Sequence, residues 1–138
     1  MLLQNLNKNV ISLKGMFRGF EKLTTLSGLD TWNTKNVVDM SFMFQFCRNL
    51  TTFNQLKYLN TKNVETMEEM FSFAGKLENV DFMEKWDTSE LKNMYRMFWN
   101  TNISNLKGME KLNTKKLINI GEIFRDCKKL NSLEGLEK

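Results

Sequence analysis

The side chains in this sequence that could do chemistry are few in kind. There are 16 carboxylates and two thiols, Cys47 and Cys127, but no histidine. The commonest general base near neutral pH, which is also the commonest metal ligand, is therefore missing. A cysteine nucleophile needs an activating neighbour, and neither thiol has a histidine to serve as one. Paired carboxylates can do acid–base work without histidine, so the acidic residues need a separate test. They concentrate in one stretch, as Glu65, Glu68, Glu69, Glu78, Asp81 and Glu84. Their spacing matches no calcium loop, and the seven glycines fall singly, with no phosphate-binding loop among them. The expectation is a chain that is not an enzyme, with no catalytic residues, no metal and no cofactor. The acidic run then reads as a solvated face or as a docking patch for a basic partner.

The elements that position these residues come from an internal repeat, the signal to seek first. An apolar residue followed by phenylalanine recurs as Met16-Phe17, Met43-Phe44, Met70-Phe71, Met97-Phe98 and Ile123-Phe124. The phenylalanines are spaced 27, 27, 27 and 26 residues apart. Five units follow, 6–32, 33–59, 60–86, 87–112 and 113–138, and they fill one repeat domain over 1–138. Met1 to Asn5 read as the tail of a further unit.

Each unit divides in two. The first half opens with Asn-Thr or Asp-Thr, as at Asn33-Thr34, Asn60-Thr61, Asp87-Thr88 and Asn113-Thr114. Such side chains favour helix N-caps. The apolar set Val37, Met40, Met43 and Phe44, with its copy Val64, Met67, Met70 and Phe71, predicts a helix of two to three turns. That helix would put Glu65, Glu68 and Glu69 together on its exposed face. The second half carries an apolar residue every third position, as in Leu50, Phe53, Leu56 and Leu59, which predicts a short strand around the second of them. Strand alternation would turn two polar rows outward. One is Thr25, Thr52, Asn79, Asn105 and Ser132; the other is Ser27, Asn54, Asp81, Lys107 and Glu134. The predicted fold class is an α/β repeat, a leucine-rich-repeat-like solenoid of five units of 26–27 residues, each with a short helix and a short strand. Cys47 and Cys127 would sit at one position of units three apart, separated by roughly 14 Å at strand spacing. That is too far for a disulfide.

Positions that vary among units are free to serve function. Phe42, Tyr95 and Trp99 stand where other units have Gly, Glu, Arg, Lys or Ser, while Phe46 and Phe73 share a position with Gly19, Asn100 and Asp126. A core would not alternate in this way. These five rings are therefore candidate interface anchors, with Glu65, Glu68, Glu69, Asn54, Asp81 and Lys107 as polar companions. Trp32 and Trp86 replace leucine at an always-apolar position and read as structural. Counted by unit, the charge runs +2, +2, −3, +1 and +2, in agreement with the net +4. A negative band between positive ends suits a partner of complementary pattern. It does not make the continuous basic stripe expected for nucleic acid.

The string NTKNVVDMSFMFQFCRNL at 33–50, with substituted copies at 60–77 and 113–130, resembles the BspA-type leucine-rich-repeat family of bacterial surface proteins, also seen as repeats in mycoplasma lipoproteins. The resemblance covers essentially the whole chain and implies adhesion or recognition at a bacterial surface, on the cell or secreted. A competing expectation is a small cytoplasmic inhibitor or regulator of a bacterial or phage-related target, an anti-CRISPR-type protein for example. The start at Met1, the brevity and the lack of a secretion signal favour that second role. Both readings expect a protein partner, with nucleic acid entering only as part of a ribonucleoprotein target. Neither expects membrane insertion, since no run reaches the roughly 20 apolar residues needed to span. Solenoids need polar caps, and neither terminus differs clearly from the other units, which leaves two expectations: the chain is part of a longer array, or it self-associates by pairing an uncapped end with a second copy.

Overall fold

A computed structural model describes residues 6–136. It corrects both halves of the predicted unit. Among the described residues there is no α-helix and no extended strand, and so no solenoid of helix–strand units. Regular structure is confined to three short 3-10 helices, Leu29–Thr31, Asn54–Tyr58 and Asp81–Lys85, and to isolated parallel bridges. The bridges run Ser12 to Asp39, Thr66, Asn93 and Asn119. Parallel pairing thus occupies the half expected to be helical, and the 3-10 helices occupy the half expected to hold the strand.

The backbone hydrogen bonds explain the exchange. From Met40 to Cys47, alternate N–H groups close tight turns within the unit, Met43 to Met40, Gln45 to Phe42 and Cys47 to Phe44. The N–H groups between them reach the next unit. Met40, Phe42, Phe44 and Phe46 donate to the carbonyls of Thr66, Glu68, Met70 and Ser72 at 2.8–3.0 Å. All of these polar groups are paired, as burial requires. An α-helix would consume every N–H internally and leave none to join the layers.

Consecutive turns of this kind need a left-handed residue at the third position of every second turn. Two columns supply it. One holds Gly15, Phe42, Glu69, Arg96 and Glu122, with φ between 49° and 64°. The other holds Gly19, Phe46, Phe73, Asn100 and Asp126, with φ between 55° and 70°. A non-glycine residue there costs roughly 1–2 kcal/mol, and a run of them excludes a helix outright.

The Asn-Thr pairs are not helix caps. Asn60 Oδ1 accepts from Lys62 N–H, and Asp87 Oδ1 from Ser89 N–H, closing local Asx turns. The buried threonines clamp neighbouring units. Thr34 Oγ1 donates to the Asn60 carbonyl at 3.0 Å and accepts from the Asn60 N–H at 2.8 Å. In the second half, the length of the 3-10 helix follows a single position. Gln55 and Phe82 lie inside five-residue helices, whereas Gly28, at the equivalent place, precedes one of three residues. Gly108 (φ 101°) is required where it stands, because a Cβ would lie 2.3 Å from the Val80 carbonyl oxygen.

The core is a stack of equivalent side chains. Phe17, Phe44, Phe71, Phe98 and Phe124 form a ladder with ring centroids 5.5, 5.7, 5.9 and 6.0 Å apart and interplanar angles of 15° or less. Met40, Met67 and Met94 line one flank and Met43, Met70 and Met97 another, all fully buried. Trp32 and Trp86 are buried, and Trp86 Nε1 donates to the Leu56 carbonyl at 2.8 Å. The apolar rhythm is three throughout, matching turns and 3-10 geometry rather than the 3.6 of an α-helix.

Candidate functional site

The five candidate aromatics fall on the turn-bearing face and none is isolated. All are half-buried. Phe46 stacks on Phe73 with centroids 4.9 Å apart, and Phe73 meets Trp99 edge-on at 4.7 Å. Arginines lie over the rings. Arg48 covers Phe46 and Phe73 at 5.6 and 6.0 Å, and Arg96 covers Tyr95 and Trp99 at 4.8 and 4.7 Å. Arg125 lies 5.1 Å from Trp99. Phe42 carries Lys14 and Arg18 at 5.7 and 5.4 Å. Phe46, Phe73, Tyr95 and Trp99 with Arg48, Arg96 and Arg125 thus form one band over units two to five, and Phe42 with Lys14 and Arg18 forms a separate cluster at units one and two.

Hydrogen bonds hold the band in place. Trp99 Nε1 donates to Asp126 Oδ2 at 3.0 Å, and the Glu122 carboxylate accepts from both Arg96 and Arg125. These two guanidinium bonds, Arg96 first, hold the Glu122 carboxyl below its ordinary range, and Glu122 in turn raises Arg96. Each such cation–ring contact is worth about 0.5–1 kcal/mol when exposed, so the band fixes side-chain orientation more than it stabilises the fold. Phe42, Phe46 and Phe73 are left-handed at their own backbones. The signal for this was in the sequence, since their columns also hold Gly15, Gly19, Asn100 and Asp126, residue types that favour positive φ.

The acidic candidates are not one helix face. Glu65 is exposed and pairs with Lys92 at 2.8 Å. Glu68 and Glu69 sit in a turn and are half-buried. Glu68 accepts from Asn93 Nδ2 at 3.2 Å, and Glu69 accepts from Ser72 Oγ at 3.1 Å and from Gln45 Nε2. All three are thus engaged by neighbouring units, Glu65 by a cation and Glu68 and Glu69 by neutral donors. The polar rows of the second half do point outward, although no strand carries them. Asn54 and Asp81 begin two of the 3-10 helices and flank a shallow cleft of about 390 Å³ with Thr52 and Asn79. Lys107 lines a second cleft with Asn105 and Ser132.

Neither thiol is poised for nucleophilic chemistry. Both are free and buried. Cys47 Sγ donates to the Phe17 carbonyl and Cys127 Sγ to the Phe98 carbonyl, each at 3.0 Å. Burial pushes Cys47 up to about 11 and raises Cys127 as well. Among the described residues no cluster of His, Cys, Asp or Glu could hold a metal ion, and no helix is long and apolar enough to cross a membrane.

Comparison with curated proteins and with solved structures gave no match. A family model does match, over residues 7–135, nearly the whole stack. The chain belongs to the family described as Mycoplasma protein of unknown function, DUF285.

Proposed function

We propose that this chain is a non-enzymatic module that binds a protein partner through its aromatic–arginine band, in recognition or adhesion at a bacterial surface. The observation that carries the reading is the band itself. Tyr, Trp and Arg are the side chains that dominate binding energy at protein interfaces. Here Tyr95, Arg96 and Trp99 lie within five residues, half-exposed, with Arg96 held by Glu122, Trp99 held by Asp126 and the Tyr95 ring under the Arg96 guanidinium. Side chains ordered before contact lose less entropy on binding. The surface role is supported by the family membership and by the likeness of 33–50 to BspA-type surface repeats.

The test is binding of the immobilised chain to purified host extracellular-matrix proteins, scored for wild type, Tyr95→Ala and Trp99→Ala. A hot-spot residue should cost about 2 kcal/mol or more of affinity, roughly thirtyfold. Stability losses should stay near the roughly 2 kcal/mol of a half-buried ring, so both variants remain folded in the binding assay and urea unfolding checks that they do. Retention of full affinity by both variants would remove the band from the interface. Absence of binding to every matrix protein would remove the adhesive role.

A further inference from the structure

The two ends of the stack are complementary to each other. At every junction four N–H groups of one unit donate to four carbonyls of the next. Between the first two units the donors are Leu13, Gly15, Phe17 and Gly19 and the acceptors Asp39, Ser41, Met43 and Gln45, at 2.7–2.9 Å. The last junction repeats this, with Met94, Arg96, Phe98 and Asn100 bonded to Asn119, Gly121, Ile123 and Arg125. The fifth unit therefore presents the N–H groups of Ile120, Glu122, Phe124 and Asp126, none of them bonded among the described residues. The first unit presents the carbonyls of Ser12, Lys14, Met16 and Arg18, likewise unbonded. Along this turn segment one face offers four donors and the other four acceptors, while at the outer edge the direction reverses, as where Val38 N–H donates to the Ile11 carbonyl and Ile118 N–H to the Lys92 carbonyl.

The apolar side chains agree. Ile120 is 56% exposed, yet its column is otherwise buried as Leu13, Met40, Met67 and Met94. Leu133 is 60% exposed in the column of Leu26, Phe53, Val80 and Leu106, all buried. Among the described residues no further layer covers these side chains. Along the outer edge, one column reads Ile11, Val38, Glu65, Lys92 and Ile118, with the ends apolar and the inner pair joined as an ion pair at 2.8 Å.

We infer that a second copy of this chain docks head to tail, its first unit forming the next layer on the fifth unit. An unpaired edge of this kind is a template for pairing. A head-to-tail contact that does not close on itself builds an open filament. Phe124 of one copy would extend the phenylalanine ladder onto Phe17 of the next, and Ile118 would meet Ile11. The inference uses the end faces alone and stands apart from the band and its partner.

The experiment is sedimentation velocity over rising concentration. Wild type should grow in steps of 16.3 kDa. Both end units carry +2, so added salt, which screens their repulsion, should strengthen the association. The double variant Ile11→Lys with Ile118→Lys sets like charges against each other at the junction. Both sites are exposed, so its urea midpoint should match wild type while its mass stays that of one chain. Ile11→Lys with Ile118→Glu copies the Glu65–Lys92 order and should restore growth. A wild type that remains a single chain at about 1 mM overturns the inference. So does a double-lysine variant that associates as wild type does, since that would place the contact elsewhere.

Discussion

Phe71→Ala should be the most damaging single truncation on the phenylalanine ladder, and Phe124→Ala a mild one, although the two residues are equivalent in sequence. Phe71 is fully buried, lies near-parallel between Phe44 and Phe98 at 5.7 and 5.9 Å, and touches Phe53 and Phe82 at its edges. Losing its transfer free energy costs about 2–3 kcal/mol. A closed void of about 100 Å³ adds about 2 kcal/mol at the measured cost per unit volume. Two lost ring stacks add about 1 kcal/mol more, for a sum near the top of the usual range of about 3–5 kcal/mol. Phe124 has one ring partner, Phe98 at 6.0 Å, and is half-buried at an open end where water fills any gap. Half the transfer loss and one stack come to about 1.5–2 kcal/mol. The assay is urea unfolding at low micromolar concentration, where copies are apart, comparing midpoints with slopes held equal. The two variants should differ by at least about 2 kcal/mol. Equal losses would mean that the fifth unit is covered or the ladder is not the core, and the packing argument would fail.

Other consequences are sharp enough to measure. Asn100 is exposed at φ 55°, so Asn100→Val should lower stability by about 1–2 kcal/mol while Asn100→Gly is neutral or stabilising; a neutral valine would show that the left-handed column is not needed. Thr34→Val removes a hydroxyl that both donates to and accepts from Asn60 across the unit junction, and losing these two part-buried bonds should cost about 1–2 kcal/mol by thermal or urea unfolding. Cys47 should resist alkylation at neutral pH in the folded chain and react only as pH climbs toward about 11. Because its folded value lies above the ordinary 9.0, the unfolded chain releases this proton first. Its stabilising contribution is therefore full below pH 9 and is lost between pH 9 and about 11. A Cys47→Ser variant with the same alkaline decline would assign that decline to other groups.

The layering was legible in the order of residues. A phenylalanine every 26–27 residues implied equivalent layers with one apolar column over another, and the structure builds that column as a ring ladder. The order of residues also marked Phe42, Phe46, Phe73, Tyr95 and Trp99 as side chains outside the core, since a core position cannot alternate between glycine, charge and ring. The path of the chain within a layer was not legible in the same way. A three-residue apolar rhythm is shared by short helices, 3-10 turns and strand-lined repeats, and only hydrogen bonding separates them. Here the alternate N–H groups from Met40 to Phe46 find carbonyls in the next unit, and that choice exists only once two units are stacked. The same stacking drew Glu65, Glu68 and Glu69 into bonds with their neighbours and set arginines over the half-buried rings. A pattern of residue types records which side chains are buried; the backbone's partner, when it lies 26 or 27 residues away, is decided by the tertiary structure alone.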